Sequence, residues 1–319
     1  MARIQRLLVV MTLLLSTAVN AIDLKENDTV TIIGNGFAER MASYGWLEAA
    51  IQLHHKNKNI RLSHMGMSGY EVWNSMAGKQ EKNLQGTSND NIVLEAGVVI
   101  AFFGMNESFA GLPRLDSYKQ QLKSRLQAIS KTINESKRND TGVANDENEP
   151  APRIILVSPI AHETLAPPFS SGRHHNAVLE RYVAAMNEVA AELGVVFVDL
   201  FYPSRAYYQR RLDRPLTSNG IQPTEYGYWY LVYQLALQLD WLEPERQAPS
   251  LEQLESLRLT IIDKNREMKN KGAIDTKNNS GPDRAAFQKA IWDKASVMQP
   301  GWQLIVPPPV NSSVLAEIL

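Results

Sequence analysis

The stretch "GVVIAFFG", Gly97 to Gly104, decides the fold. Its apolar side chains fall on consecutive residues instead of alternating, so a strand here needs cover on both faces, as in the interior of a parallel sheet. Four further apolar, β-branched runs lie on either side of it: "TVTIIG" (29–34), "IRLSH" (60–64), "RIILVS" (153–158) and "GVVFVDL" (194–200). Helical spacing fills the gaps between them. A helix is predicted over 37–52, and another over 115–131 from Leu115, Leu122, Leu126 and Ile129. Val178, Tyr182, Met186, Val189 and Leu193 line one face of a third, and Pro223 and Thr224 suit the start of a fourth over 224–240. Strand and helix therefore alternate, which predicts an α/β domain over 22–245: a three-layer α/β/α sandwich around a mainly parallel central sheet. Ligand sites in such sheets lie beyond the carboxyl ends of the strands, so the loops that follow the strands hold the residues of interest.

Outside that core the texture changes. Residues 134–150, "NESKRNDTGVANDENEP", are polar and empty of large apolar groups, and read as an exposed insertion. Residues 246–319 read as an appendage: a helix in "SLEQLESLRLTIIDKNREMKNKG", a linker, and an extended apolar tail in "WQLIVPPPVNSS". The tail either packs across the domain or meets a partner that the sequence does not name. At the other end, Arg3 and Arg6 precede "LLVVMTLLLSTAV", and Val19-Asn20-Ala21 is a small-residue cleavage pattern. Residues 1–21 thus read as a signal peptide, with export to the periplasm or beyond and no transmembrane segment after its removal. The apolar run is shorter than the roughly 20 residues a spanning helix needs. With no cysteine in 319 residues, export brings no disulfides. The 33 basic and 34 acidic residues give a net charge of −1, which leaves no footprint for nucleic acid.

Each loop after a strand carries small or polar residues. "GNGFAERM" follows the first strand, with two glycines flanking Asn35. "HMGMSGYEVWN" follows the second, where Gly66 and Gly69 can bring backbone N–H groups close to a ligand. "GMNES" follows the third, and its Asn106 offers an amide donor. Glycine N–H groups and an asparagine amide converging on one point form an oxyanion hole.

On these blocks the chain resembles the SGNH hydrolase family, also called GDSL esterases and lipases, over roughly residues 29–240. The resemblance implies the family's flavodoxin-like sandwich and ester hydrolysis without a cofactor, on a small-molecule acyl ester or a glycan. It implies Gly66 or Gly69 as the oxyanion glycine ("GMSG") and Asn106 as the oxyanion asparagine ("GMNE"). The match fails at the reacting groups. Gly36 stands where the family has its nucleophilic serine, and Gln222, in "LTSNGIQPTEYGYW", where it has its histidine. An amide cannot take a proton near neutral pH, so Gln222 can hold a loop but cannot act as a base. Two readings follow: an ester hydrolase with impaired or unorthodox chemistry, and a catalytically silent module that binds a glycan or acyl ester.

Other residues are candidates to replace the missing pair. His64 and Ser68 stand beside the oxyanion glycines as a base and a nucleophile. His162 and Glu163, in "SPIAHET", are a base with a neighbouring acid that would activate water directly. Asp199, at the end of the fifth strand, either orients a histidine or caps a turn. His174 and His175 do not suggest a metal, because adjacent side chains on a helix diverge by about 100°.

Overall fold

The computed structural model describes residues 22–73, 97–141, 153–210, 214–241, 249–270 and 284–298. Strands β1 (Thr29–Gly34), β2 (Arg61–Gly66), β3 (Val98–Phe102), β4 (Ile154–Val157) and β5 (Val196–Val198) form one sheet in the order β2-β1-β3-β4-β5, and every neighbouring pair is parallel. β3 is the central strand and all five of its residues are buried, which is why the run at 97–104 does not alternate. Its side chains serve two cores in turn. Val98, Ile100 and Phe102 join Val30, Ile32, Ile155 and Val157 on one face, and Val99 and Ala101 join Ile154 and Leu156 on the other.

Helices α1 (Gly36–Tyr44) and α2 (Trp46–His54) cover the first face through Ala38, Met41, Leu47 and Ile51. α3 (Met105–Ser108) is a single turn after β3, and α4 (Leu115–Thr141) covers the second face through Tyr118, Leu122, Leu126 and Ile129. α5 (Arg173–Leu193) adds Tyr182, Met186 and Val189 to that face, α6 (Phe201–Gln209) follows β5, and α7 (Glu225–Gln238) returns to the first face with Trp229, Leu231 and Leu235. The three-layer α/β/α sandwich is therefore present, with each layer held by apolar burial worth about 1.5–3 kcal/mol per large side chain.

Three local features differ from the spacing-based reading. The single helix expected over 37–52 is two, broken at Gly45, whose φ of 69° serves as the C-cap of α1. A Cβ there would lie 3.2 Å from Arg258 Cγ, so the break also lets a later helix approach. α4 runs to Thr141, past the expected end at 131 and into the polar 134–150 stretch, whose remaining residues lie outside the described ones. α3 and α6 were not read from the sequence, because one turn shows no period and Pro203 breaks the apparent pattern of α6 while fitting its first turn.

The C-terminal segment shares this core. α8 (Leu251–Asn270) packs on α1 and α2, and α9 (Arg284–Ser296) on α2 and α8. Leu254, Leu257, Ile261, Ile291 and Ala295 belong to the same buried cluster as the first face of the sheet. The signal peptide expected over 1–21 and the extended tail expected over 302–313 lie outside the described residues, among which no helix is long and apolar enough to cross a membrane.

Candidate active site

The loops at the carboxyl ends of the strands surround a cleft of about 170 Å³. β1 ends at Gly34, with φ 127°, where a Cβ would meet the Phe102 carbonyl oxygen at 2.1 Å; no other residue lets the two strands close here. The Asn35 N–H then donates to that oxygen at 3.3 Å, and its Oδ1 accepts the Phe37 N–H at 3.0 Å. Asn35 is thus the N-cap of α1, and Gly36, the first helical residue, lines the cleft.

In the second loop the two glycines separate by role. A Cβ on Gly66 would lie 2.2 Å from the Glu39 nitrogen, so Gly66 is needed for β2 to pass α1, and it does not line the cleft. Gly69, with φ 78° and nothing near its Cβ position, does line it, as does Ser68. In the third loop Asn106 lines the cleft from α3. Its neighbour Glu107 is fully buried and accepts the Gly104 N–H at 2.8 Å and the Val72 N–H at 2.9 Å. That carboxyl therefore ties the asparagine loop to the Ser68–Gly69 loop, and burial pushes it up to about 7 despite those two N–H donors. Sequence reasoning passed over Glu107, although Gly104 and Glu107 have the three-residue spacing of a helix-capping box.

The fifth loop is folded back on itself. Thr217 pairs with Pro223, the Gln222 N–H donates to Asn219 Oδ1 at 2.8 Å, and Gln222 lines the cleft. Gly36 and Gln222 thus border one space, as the positions of a nucleophile and its base would. Phe37, Phe102 and Tyr228 form an aromatic wall, with centroids 5.2 Å apart for Phe37–Phe102 and 5.0 Å for Phe37–Tyr228. Arg40 is the charged residue of the lining; sequence reasoning passed over it as well as the wall.

The substitute bases stand elsewhere. His64 is not brought to Ser68: its Nε2 lies 3.8 Å from Glu48 Oε2, in a buried cluster with Lys264, because strand alternation turns it toward α2. Burial alone would raise the Glu48 carboxyl, but Lys264 and His64 outweigh it and hold it low. His162 and Glu163 are absent from the lining too. His162 Nδ1 lies 3.1 Å from His175 Nδ1, and His175 Nε2 2.8 Å from Ser108 Oγ. Burial lowers both imidazoles, His175 to about 4 with His162 adding to the effect. Glu163 accepts the Thr217 N–H at 2.7 Å and its hydroxyl at 2.6 Å, which braces the Gln222 loop from behind; burial raises its carboxyl. Asp199 Oδ1 accepts the Phe201 and Tyr202 N–H groups at 2.7 and 3.2 Å, the capping role for α6, and does not line the cleft.

Among the cleft's hydroxyls, Tyr228 donates to the Phe37 carbonyl, and Ser158 accepts the Leu200 and Phe201 N–H groups. Among the described residues no imidazole lines the cleft. Gly69 and Asn106, the residues expected as oxyanion donors, both line this cleft beside the aromatic wall.

Two solved structures, LAE5 and Axe2, agree on the fold. An alpha/beta hydrolase enzyme, LAE5, from the metagenome of Lake Arreo, Spain, superposes with TM-score 0.51 at 18% identity, covering 69% of this chain and 98% of that one. Axe2, an acetylxylan esterase from Geobacillus stearothermophilus, gives 0.50 at 14% identity, covering 70% and 99%. A gut microbial diltiazem-metabolizing enzyme gives 0.47 at 20% identity; the match spans 72% of this chain but about half, 51%, of that protein. No curated protein matches the sequence. The model of the GDSL-like lipase/acylhydrolase family matches residues 32–230, well over half of the chain and all five loops of the cleft. The chain belongs to the GDSL-like lipase/acylhydrolase family.

Proposed function

We propose that this is an exported member of the family whose cleft takes an acyl ester, carried by a small molecule or a glycan, without the serine–histidine route at positions 36 and 222. The observation that carries the reading is the shared cleft: Gly36 and Gln222 border it together with Gly69 and Asn106. On this reading Gly69 and Asn106 are the donors for an ester oxygen, beside positions that have lost a hydroxyl and an imidazole. In serine hydrolases such donors and binding alone leave roughly 10³–10⁴ over water, so recognition of the ester group survives loss of the pair. Export is supported by the basic and apolar pattern of residues 1–21, and sequencing of the chain purified from its host should begin near Ile22.

The test is hydrolysis of p-nitrophenyl acetate by the mature chain, alongside calorimetric binding of acetylated xylobiose, with Asn106→Ala as control. Turnover above buffer that falls about 10²-fold in the variant supports the ester reading, since one oxyanion donor is worth about that much. Background rates in both proteins, with binding retained, favour the silent module. Loss of both turnover and binding in the unaltered chain refutes the reading.

A further inference from the structure

The missing side chain at Gly36 leaves a space, and the space is occupied. A Cβ built on Gly36 would lie 3.0 Å from Ser68 Oγ, so the Ser68 hydroxyl stands within a bond length or two of where a serine at 36 would present its own. That hydroxyl is exposed and lines the cleft, and it donates to Glu39 Oε2, which also accepts the Ser68 N–H at 2.9 Å. The partner expected from the sequence, His64, is on the other side of the strand. We propose that the nucleophile of this protein has moved from the first loop to the second: Ser68 attacks the ester, and Glu39 takes its proton. The proposal rests on the ester reading of the cleft.

The geometry supports each part. Among the cleft's hydroxyls Ser68 is held by a carboxylate alone and is exposed. Ser158 also reaches a carboxylate, Asp199 at 3.3 Å, but it is buried and its hydroxyl is tied to the Leu200 and Phe201 N–H groups and the Pro159 carbonyl, and Tyr228 is committed to the Phe37 carbonyl. A carboxylate within hydrogen-bond reach of a hydroxyl is a general base by position. Gly36, at the first turn of α1, offers an N–H with no intrahelical acceptor, and it joins Gly69 and Asn106 around the same space. In the first step Ser68 Oγ bonds to the carbonyl carbon as its proton passes to Glu39. The C–O bond to the alcohol then breaks, and the alcohol leaves with that proton. Water next attacks acyl-Ser68 and gives a proton to Glu39; the acid leaves and Oγ recovers the proton. Ester and water become acid and alcohol, and no other reactant is consumed.

The test uses the full mature chain with a fluorophosphonate, followed by peptide mass spectrometry. One equivalent of label is expected on Ser68. Ser68→Ala should abolish it, and Glu39→Gln should slow labelling about 10²-fold or more, the usual worth of a general base. Gly36→Ala removes no functional group, yet its new carbon crowds the hydroxyl and should also slow labelling. Label on another serine, equal labelling of Ser68→Ala, or no label at all overturns the proposal. A chain that binds acetylated xylobiose but takes no label defeats only the Ser68 assignment, whereas failure to bind defeats the ester reading itself.

Discussion

Arg258 ties α8 to the start of α7 and to the α1–α2 junction, and its replacement by methionine tests how. The side chain is fully buried, spans from α8 to the start of α7, and lies 4.5 Å above the Trp46 ring. Its Nη1 sits 2.8 Å from Glu225 Oε1, a close ion pair in which the N–H is not aimed at the oxygen, and donates to the Tyr44 carbonyl at 3.2 Å. Its Nε donates to Glu255 at 2.7 Å. Arg258→Met keeps the stem over Trp46 but leaves the Glu225 carboxylate, only 9% exposed, without its cation. An orphaned buried charge costs roughly 3–5 kcal/mol, and Glu255 can turn to water and adds little. For a chain of this size about 2–4 °C of melting temperature goes with each kcal/mol, so Tm should fall by roughly 6–20 °C at pH 7. Burial already raises the Glu225 carboxyl and Arg258 opposes that; without Arg258 it rises further. A carboxyl raised in the folded state contributes stability below its unfolded pKa and loses it as pH rises, so the deficit of the variant should shrink as pH falls toward 5. The double change Arg258→Met with Glu225→Gln should recover most of the loss, because a neutral pair carries no orphaned charge. Thermal unfolding followed by circular dichroism reads all of this. A single variant within about 2 °C of the parent, or a double variant as unstable as the single, would refute the reasoning.

Two other expectations concern the cleft and the core. On a Ser68→Ala background, which clears the space at position 36, Gly36→Ser together with Gln222→His should raise p-nitrophenyl acetate hydrolysis by about 10²-fold or more over either single change, because the hydroxyl needs its base to act; a folded triple variant no faster than Ser68→Ala means that residues 36 and 222 do not stand as nucleophile and base. His55 is buried edge-on to Trp241, and burial lowers it to about 3, so the unfolded chain takes up a proton below about pH 6.5 that the folded chain refuses. His55→Phe should therefore gain Tm relative to the parent as pH falls from 7 to 4, and a difference that does not change with pH would show that this ring's titration plays no part.

The local code was strong wherever one residue's environment follows from its near neighbours. The unbroken apolar run of β3 announced a strand buried on both faces, and the periodic leucines of α4 announced one covered face. The loops after β1, β2 and β3 carried enough of their blocks to suggest the family and the cleft. Helix periods could not show the break at Gly45, which depends on a helix two hundred residues later, nor α3, which is too short to have a period.

What the sequence determined by itself is therefore the parallel α/β order and the absence of a serine at 36 and a histidine at 222, since both are properties of runs and positions. Which side chains meet was decided only by the tertiary structure. His64 and Ser68 are four residues apart, yet strand pleating sends His64 to Glu48 and Lys264 while the loop carries Ser68 over Gly36 to Glu39. His162 and Glu163 look like an acid–base pair in sequence, but packing spends one on His175 and the other on Thr217. The hydrogen bonds that fix a site run between segments tens of residues apart, and their partners are set by how layers stack, which no local pattern encodes.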